Sequence, residues 1–293
     1  MERDSVAYKV RRKLQIVAHK ILSDEFLSKI YFKIVLKKEL DLKNPKTFNE
    51  KLQWLKLNDR CPEYTIMVDK YLVRDWVKEK IGEKYLVKQY AVWNDAAEID
   101  FDMLPSSFVL KANHGSGYNI VVKDKSKIDK EAVRKQLNKW LKEKYGFNYF
   151  ELHYNRIEPK IVCEEYLGEC ITDYKFFCFN GEPKYIYVSN DLVHDRQAQI
   201  GFFYLDGKKM PLRRDDYTDI EDIELPIFFD EMKEAAKTLC KDFPFVRVDF
   251  FLANNRFYFA ELTFTPSGGM MPFNPDKYDL EWGNMLNLEN IYE

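Results

Sequence analysis

The N-terminal part of the chain repeats apolar residues at helical spacing. One face of the first segment is formed, at intervals of three or four residues, by Val6, Val10, Leu14, Val17 and Ile21. The same period continues, and the predicted helices cover residues 6–22, 24–40, 46–58 and 69–80. Gly82 follows the last of them, and glycine tolerates the left-handed backbone of a helix end. Residues 1–80 are therefore predicted to be mostly helical.

Short runs of β-branched and aromatic residues replace this pattern after Pro105. The predicted strands are 108–112, 119–122, 160–167, 174–179, 184–188, 200–205, 246–252 and 256–262, and the further predicted helices are 130–144 and 226–241. Two links, Asn-Gly at 180–181 and Asn-Asn at 254–255, consist of residues that accept positive φ, so each predicts a β-hairpin. The tail from Pro272 is predicted to be irregular. Interleaved helices and antiparallel hairpins indicate an α+β fold.

Composition and charge restrict the class of protein. The chain has 293 residues, 46% of them apolar and 32% charged, a globular balance with room for one large or two modest domains. A net charge of -2 excludes a globally basic nucleic-acid binder, and we expect no nucleic-acid partner. Five cysteines without a CxxC pair, and no segment like a signal peptide, predict a reduced, cytoplasmic setting. No apolar run approaches the roughly 20 residues that a membrane-spanning helix needs.

Positive charge is concentrated at the start of the chain. Residues 1–60 hold 15 Lys and Arg against 8 Asp and Glu. In the first predicted helix, Lys9, Arg12, Lys13 and Lys20 flank the apolar face. We favour docking of this helix on the chain's own domain. The alternative is contact with an anionic membrane surface or an acidic partner, which would place the protein at the inner face of the membrane.

A strand, a small polar glycine loop and a second strand lie between Phe108 and Val122. Gly115 and Gly117 allow backbone N–H groups to approach an anion closely, and Lys111 adds a positive charge at the same end. This arrangement is typical of a phosphate clamp. The alternative is an ordinary glycine hairpin with an exposed lysine, because a GxG pattern alone has little specificity.

Charged and apolar residues alternate in the segment 245–251. The period of two places Arg247 and Asp249 on one face of a strand. On the partner strand, one face is predicted to hold Phe257, Phe259, Glu261 and Thr263. A hairpin then brings Glu261 near Asp249, with Arg247 beside them. Two carboxylates suit Mg²⁺ with phosphate oxygens completing its shell, whereas the alternative is a structural ion pair with Arg247.

Two further segments complete the candidate chemistry. The turn at 265–269, Thr-Pro-Ser-Gly-Gly, offers hydroxyls and backbone donors to a substrate near the metal, unless it is a plain turn. An apolar strand ends at Glu164 and Glu165, and its extended backbone could pair with an adenine edge. Asp173 is a candidate acceptor for ribose hydroxyls, and Lys175 on the same strand face is a candidate phosphate ligand. A surface hairpin with ordinary acid–base pairs is the alternative.

The order of these segments resembles the ATP-grasp superfamily over roughly residues 60–270. The resemblance rests on Asp69-Lys70, the strand that ends at Lys111 before the glycine loop, 164–167, Asp173-x-Lys175, Arg247-x-Asp249, and Glu261-x-Thr263 followed by Pro266 and Gly268. Segments 44–53, 69–75 and 112–117 further resemble the teichuronopeptide-biosynthesis (TupA-like) type, which is found in bacterial surface-polysaccharide pathways. The implied fold has two α+β subdomains that grip ATP and a helical N-terminal region. Its implied limits are 1–60 for the helical region, 61–105 for a helix and linker, 106–170 for the small subdomain and 171–293 for the large one.

This resemblance implies roles for the site residues, with ATP and Mg²⁺ as cofactors. The nucleotide ligands are Lys70, Lys111, His114, Gly115, Ser116, Gly117, Glu164, Glu165, Tyr166, Leu167 and Asp173. The metal ligands are Asp249, Glu261 and Thr263, and the catalytic residues are Arg247 and Lys175. Apart from the resemblance, Arg196 in the segment 193–197 ahead of a strand is a candidate catalytic residue that binds the anionic acceptor, because guanidinium pairs well with a carboxylate. The candidates that orient this acceptor are Thr265, Pro266, Ser267 and Gly268. Most ATP-grasp ligases have Asn where this chain has Thr263, and a hydroxyl is a poorer ligand than an amide carbonyl.

The resemblance implies a carboxylate–amine ligase, in which ATP phosphorylates a carboxylate and an amine attacks the acyl phosphate. The expected partners are a uronic acid of a capsule or cell-wall polysaccharide and an amino acid or other amine. A rival is a metal-dependent glycosyltransferase using Asp100-Phe-Asp102, but such enzymes need a βαβ nucleotide domain where this chain predicts helices. Further alternatives are a kinase that phosphorylates a sugar hydroxyl and a non-catalytic nucleotide sensor.

Overall fold

The computed structural model describes residues 6–58, 61, 63–148, 150–190 and 198–288. Its α-helices are α1 (Val6–Ile21), α2 (Asp24–Leu36), α3 (Phe48–Asn58), α4 (Glu63–Val68), α5 (Val73–Ile81), α6 (Lys130–Leu141), α7 (Phe229–Cys240) and α8 (Lys277–Met285). Its strands are β1 (Gln89–Trp93), β2 (Phe108–Ala112), β3 (Asn119–Val122), β4 (Ile161–Glu165), β5 (Thr172–Phe179), β6 (Glu182–Asn190), β7 (Gln199–Tyr204), β8 (Thr218–Asp219), β9 (Phe245–Ala253) and β10 (Arg256–Thr263). The α+β fold class and the helical N-terminal region are confirmed.

The smaller sheet has the strand order β1-β4-β2-β3, and all its pairs are antiparallel. α6 packs against it, and Phe108, Leu110 and Leu137 are fully buried between them. The loop between β2 and β3 contains the predicted glycine motif. β1 belongs to this sheet although it precedes residue 106, where the small subdomain is predicted to begin. The predicted domain limits stay a prediction.

The larger sheet has the order β10-β9-β5-β6-β7-β8, antiparallel except for the β7–β8 pair. One face is covered by α7, and the core there includes Phe176, Met232 and Val248. Helices α3 and α8 cover only part of the other face, around Phe177 and Trp282. The rest of that face holds the charged residues of β5, β9 and β10.

Both predicted hairpins are present. At 254–255 the two asparagines have φ values of 52° and 54°, and β9 pairs with β10 across this turn. At 180–181 the values are 49° and 77°, and β5 pairs with β6. A Cβ at Gly181 would lie 2.8 Å from the carbonyl oxygen of Lys241, so this turn requires glycine for space as well as for its backbone angle.

The predicted face of β10 is wrong in its first half. The register of β10 shifts between Phe259 and Glu261, so the strand holds one extra residue there. Before this bulge, Phe257 and Phe259 enter the core against α7. After it, Glu261 and Thr263 lie on the opposite face. A strict period of two does not anticipate the bulge, because it assumes one partner residue for each residue of the strand.

The tail that the sequence predicts to be irregular contains α8. Its Trp282 is fully buried, with ring centroids 5.5 Å from Phe48 of α3 and 4.7 Å from Phe177 of β5. A helix of nine residues is marginal alone, and packing against residues distant in sequence stabilises it. Local periodicity therefore gives no signal for α8.

Two N-terminal helices also differ from prediction at their ends. The helix expected at 69–80 begins at Val73, because the carboxylate of Asp69 accepts hydrogen bonds from the N–H groups of Tyr71 and Leu72 in the turn after α4. The helix expected at 24–40 ends at Leu36, where the next residue takes a left-handed φ of 60°.

Helix α1 docks on the chain as favoured, but through its polar side. Arg12 donates a hydrogen bond to the carbonyl of Lys144 at 2.7 Å, and Gln15 donates to the carbonyl of Asn148 at 3.5 Å. The apolar face predicted for burial is exposed from Val10 onward. Within the described ranges, no helix combines the length and apolar character that a membrane crossing needs.

Candidate active site

Three positive and three negative side chains meet on the open face of the larger sheet. This charged cluster consists of Lys70, Lys175, Arg247, Asp173, Asp249 and Glu261. Asp249 is fully buried and accepts hydrogen bonds from Arg247 Nε (2.7 Å), Arg247 Nη2 (2.6 Å) and Lys175 Nζ (3.1 Å). Lys175 also donates to Asp173 at 2.9 Å. The register explains the arrangement, because Asp249 pairs with Lys175 on β5 and with Glu261 on β10.

Glu261 has the most exposed side chain of the cluster, at 36%. It lies 3.6 Å from Lys70 and 3.7 Å from Arg247. Thr263 donates a hydrogen bond to Glu261 at 3.3 Å and accepts one from Arg247 at 3.1 Å. Burial raises the pKa of Glu261, but Lys70, Arg247 and Lys175 outweigh burial and hold this pKa below its ordinary value. Glu261 is therefore ionised at neutral pH and accessible to a cation.

The two inner cations also keep their charge. Burial lowers the pKa of Lys175 and of Arg247, but the carboxylate of Asp249 is the largest opposing influence and both pKa values end above their ordinary range. With three charges of each sign, the cluster is neutral as a whole. A buried charge is tolerated in a sheet when it is paired in this way.

The donor set fits Mg²⁺. Asp249 and Glu261 supply carboxylate oxygens from opposed positions on neighbouring strands, and hard oxygen donors are those that magnesium prefers. Glu261 is accessible to a metal ion. Asp249 would have to give up its hydrogen bond from Arg247 or from Lys175 before it could bind one. No group of three or more Asp, Glu, His and Cys in the described part of the chain could hold a metal by itself, so water or phosphate oxygens would complete the shell. Thr263, the third predicted ligand, already contacts Arg247 and Glu261.

A cleft between the two sheets adjoins the charged cluster. Its apolar walls include Val87, Leu167 and Phe251, and it encloses about 110 Å³. The polar lining includes Lys111, Glu165, Tyr166 and Asp173. β4 ends at Glu165, and the backbone of 166–171 passes from the smaller sheet to the larger one, so the predicted adenine hinge forms one wall. The structure thus brings Glu165 to Leu167, Asp173 and Lys111 to one cleft, whereas Lys70, Glu164 and the glycine loop are not part of its lining.

Lys70 connects the glycine loop with the charged cluster. Its Nζ donates to the carbonyl of Gly115 at 2.8 Å and lies 3.6 Å from Glu261. Ser116 and Gly117 form the exposed part of the loop. The glycine loop of one sheet and the carboxylates of the other are therefore joined by a single ammonium group.

Lys111 is held by a buried carboxylate that the sequence assigned to the adenine hinge. Glu164 accepts a hydrogen bond from Lys111 at 2.6 Å and one from Arg74 of α5 at 3.0 Å. Sequence reasoning did not single out Arg74, although it lies in the segment 69–75 that carries the family resemblance. Because Arg74 also neutralises Glu164, Lys111 can turn to a phosphate without leaving that carboxylate unpaired.

A larger cavity of about 710 Å³ lies where α2, α3 and the 3-10 helix Leu152–Arg156 meet the turn after β10. Its basic lining is Lys43, Lys56, His153 and Arg156, and its aromatic lining includes Trp54, Tyr64, Phe150 and Phe264. Burial lowers the pKa of His153 to about 4, with Lys56 and Arg156 adding to the effect. Two acids also belong to the lining. Glu25 pairs with Lys29, and Asp24 lies 3.3 Å from Nδ1 of His19, whose pKa burial lowers. The size suits a small-molecule substrate.

The turn 265–269 separates this cavity from the charged cluster and has an unusual backbone. Ser267, Gly268 and Gly269 have φ values of 54°, 66° and 72°. Gln53 of α3 donates to the carbonyls of Gly268 (3.0 Å) and Gly269 (2.8 Å), and Lys56 donates to Gly268 (2.7 Å). The glycines accept this backbone without strain, but at Ser267 it is costly and persists only where the surroundings hold it. The predicted turn is therefore held in place by the N-terminal helices.

Glu151 links the cavity and the cluster and was missed by sequence reasoning. Thr265 donates a hydrogen bond to this buried carboxylate. Burial raises the pKa of Glu151, and Glu261 adds to the rise while Lys56 opposes it. Lys56, Glu151, His153 and Arg156 lie far along the chain from the hairpin motif, and none belongs to a spacing pattern that would have identified them.

Two predicted residues and the rival motif are placed differently or cannot be placed. His114 is buried beneath the glycine loop, with Nε2 3.1 Å from the carbonyl oxygen of Trp140, so it packs against α6 and does not form the loop's exposed side. Arg196 lies outside the described residues. The rival motif Asp100–Asp102 forms a 3-10 turn, where Asp102 is exposed and pairs with Lys130 at 2.8 Å, not a strand end beside a nucleotide cleft.

The TupA-like ATPgrasp family matches residues 50–287. A search of curated proteins finds no significant match. Among solved structures, D-alanine–D-alanine ligase from Bacillus anthracis is 19% identical at a TM-score of 0.43, with 70% of this chain and 59% of that chain covered. The corresponding ligase from Helicobacter pylori is 17% identical at a TM-score of 0.47, with 83% and 70% covered.

A third solved structure, the ATP-grasp ligase PsnB with a minimal precursor, is 13% identical at a TM-score of 0.39, with 73% of this chain and 59% of that chain covered. The chain spans 59% of the length of the Bacillus anthracis ligase. The three TM-scores lie below 0.5 and carry no argument about activity. The family match covers most of the chain, and it confirms the predicted ATP-grasp family. The chain belongs to the TupA-like ATP-grasp family.

Proposed function

We propose that this protein is an ATP-dependent carboxylate–amine ligase that forms an amide through an acyl phosphate. The observation that supports it best is one neutral, ionised cluster that adjoins both a nucleotide cleft and a cavity of about 710 Å³. Asp173 belongs to the cluster and lines the cleft, and Thr265, two residues after Thr263, lines the cavity. Such an arrangement lets a nucleotide and a second substrate meet at the same charges.

In the first step, a carboxylate oxygen of the acid attacks the γ-phosphorus of ATP, the bond to the β–γ bridging oxygen breaks, and ADP leaves. Lys70 and Lys111 hold the phosphates, and Arg247 stabilises the negative charge that develops on the transferring group. A magnesium ion held by Asp249 and Glu261 would supply further neutralisation of the β- and γ-phosphates. No covalent enzyme intermediate is needed.

In the second step, a neutral amine attacks the carbonyl carbon of the acyl phosphate. The carbon–oxygen bond to the phosphoryl group breaks, phosphate leaves with one former carboxyl oxygen, and the amine nitrogen loses a proton to solvent. The turn 265–269 supports this step, since its backbone is fixed by Gln53 and Lys56 beside the cavity. Pro266, Ser267 and Gly268 would orient the acceptor there, with Arg196 as a further predicted contact.

The expected acid is a uronic acid of a bacterial capsule or cell-wall polysaccharide, and the expected amine is an amino acid. The cavity supports an anionic acceptor, because Lys43 and Arg156 place positive charge on its lining. Burial lowers the pKa of Lys56 to about 7 and keeps His153 neutral at ordinary pH. Its aromatic walls suit the apolar face of a sugar ring. The cytoplasm is the proposed location of this reaction.

A phosphate-release assay over a matrix of acids and amines tests this proposal. We expect release of phosphate from ATP and Mg²⁺ only when a suitable acid and amine are both present, and Glu261→Gln should abolish it. Formation of ADP with a sugar alone, without free phosphate because the phosphoryl group is then on the sugar, would indicate the kinase. ATP binding without formation of ADP under every combination would indicate the nucleotide sensor. Either outcome would contradict the ligase.

A further inference from the structure

Helix α1 is amphipathic, but it packs on the domain through its polar side and exposes its apolar side. Its inward side consists of Arg12, Gln15 and His19, which are held by the carbonyls of Lys144 and Asn148 and by aromatic contact of His19 with Phe147 and Phe150. A docked helix normally buries its apolar stripe and exposes its polar residues. Here the polar stripe is the one that the chain covers.

The outward side of α1 is a continuous apolar stripe. Val10, Leu14, Val17 and Ile21 are between 50% and 74% exposed. At 3.6 residues per turn they fall within about 60° of one another around the helix axis. Scattered exposed apolar residues are normal on a protein surface, but an aligned set of four is a feature that calls for a partner.

Helix α2, which follows α1 directly, has an exposed apolar stripe of its own. Phe26, Ile30 and Ile34 recur at intervals of four residues and are between 36% and 57% exposed. Of the fifteen large apolar side chains that are exposed in the described chain, nine lie between residues 10 and 35. We refer to the exposed apolar positions of α1 and α2, with their flanking basic residues, as the two-helix face.

The two-helix face is strongly basic. Residues 6–38 hold nine Lys and Arg but only two Asp and Glu, although the whole chain has a net charge of -2. Of the nine, Arg12 lies on the inward side, and Lys29, Lys33 and Lys38 pair with Glu25, Glu39 and Asp276. Arg11, Lys13 and Lys20 of α1 are exposed, as is Lys37 at the end of α2. Apolar side chains with a flanking row of lysines and arginines are typical of helices that lie in the interface of an anionic membrane.

We propose that the two-helix face binds the surface of an anionic lipid bilayer, with α1 lying parallel to the membrane plane. The apolar stripe would enter the boundary between headgroups and acyl chains, and the lysines and arginines would contact the lipid phosphates. A second copy of the chain is a poorer occupant, because a symmetric dimer would oppose two identical basic faces. The proposal concerns location and does not depend on the reaction proposed above.

Vesicle co-sedimentation of the full chain tests the proposal. We expect binding to vesicles of phosphatidylglycerol mixed with phosphatidylcholine, weak binding to phosphatidylcholine alone, and loss of binding as salt rises. Leu14→Gln with Ile21→Gln should lower the partition coefficient by about tenfold or more, since two apolar side chains leave the interface. Lys13→Gln with Lys20→Gln should weaken binding to the anionic vesicles only. As a matched control, Met103→Gln with Ile227→Gln, at positions 83% and 91% exposed elsewhere, should change nothing.

Circular dichroism and ATP affinity identify any variant that has misfolded. The variant Lys13→Gln with Lys20→Gln is an independent test, because it removes charge and no apolar contact. Wild-type protein that binds neither kind of vesicle overturns the proposal. So does equal binding by all three variant pairs. A dimer in sedimentation velocity that is lost with Leu14→Gln and Ile21→Gln, without vesicle binding, would assign the two-helix face to a second copy instead.

Discussion

The two predicted metal ligands differ in burial, so removing each charge should have a different consequence. Asp249 is fully buried and neutralises Arg247 and Lys175 through three hydrogen bonds of 2.6 to 3.1 Å. Glu261 is 36% exposed, and its nearest cations are 3.6 and 3.7 Å away. Asp249→Asn and Glu261→Gln preserve shape and remove one negative charge from the same cluster.

We expect Asp249→Asn to destabilise the fold by about 3–5 kcal/mol, because removing one partner of a buried ion pair leaves uncompensated charge. Glu261→Gln should cost no more than about 1 kcal/mol, since partly exposed pairs contribute little. With a urea m-value of about 3 kcal/mol/M for a chain of this size, the first substitution lowers the unfolding midpoint by about 1 M or more. The second leaves it nearly unchanged.

Urea unfolding followed by circular dichroism measures the two midpoints, and calorimetric titration of ATP with Mg²⁺ measures function. Glu261→Gln should remain folded and lose magnesium-dependent ATP binding. The double variant Arg247→Gln with Asp249→Asn should recover part of the stability lost by Asp249→Asn, because both partners of the pair are then neutral. Equal midpoints for Asp249→Asn and wild type would refute the account of the cluster, and unaltered magnesium dependence in Glu261→Gln would refute the metal site.

Three further predictions concern the two cavities. Lys111→Met should weaken ATP binding by about ten- to a hundredfold, because a charge-assisted contact with phosphate is lost. Lys123→Met, at a lysine in the same cleft, is the control and should leave ATP binding unchanged. Equal ATP affinities of the two variants in calorimetry would contradict the phosphate role of Lys111. Arg156→Gln should raise the KM for the acid and leave the KM for ATP unchanged, and steady-state kinetics with the opposite pattern would exclude the acceptor site. Burial lowers the pKa of His153 to about 4, so its contribution to stability is lost as pH falls from about 6.5 to 4; an NMR titration midpoint near 6.5 would contradict this.

The order of elements and the main motif could be predicted because local rules determine them. The Asn-Asn and Asn-Gly links accept positive φ, and alternation on β9 puts Arg247 and Asp249 on one face. The position of Glu261 opposite Asp249 is predicted correctly, but the strict alternation from which it is predicted does not hold along the whole of β10. The bulge in β10 gives Glu261 that face, while the preceding phenylalanines enter the opposite core.

The parts that could not be predicted depend on contacts between distant segments. Lys56 meets Gly268 across 212 residues, so no local pattern shows that the N-terminal helices build the turn beside the cavity. α8 is stabilised by aromatic residues from β5 and α3. The orientation of α1 was expected to follow its hydrophobic pattern, but hydrogen bonds of Arg12 and Gln15 to a distant loop decide it.

The transfer of oxygen from the acid to phosphate tests the central claim most directly. An acid identified by the phosphate-release matrix is labelled in its carboxyl group with the heavy isotope of oxygen, and the product phosphate of a complete turnover is analysed by mass spectrometry. A ligase that forms an acyl phosphate must deliver one labelled oxygen to each phosphate, because the carbon–oxygen bond breaks when the amine attacks. The account predicts labelled phosphate. Unlabelled phosphate from an active enzyme would contradict it, whatever the ATP-grasp fold suggests.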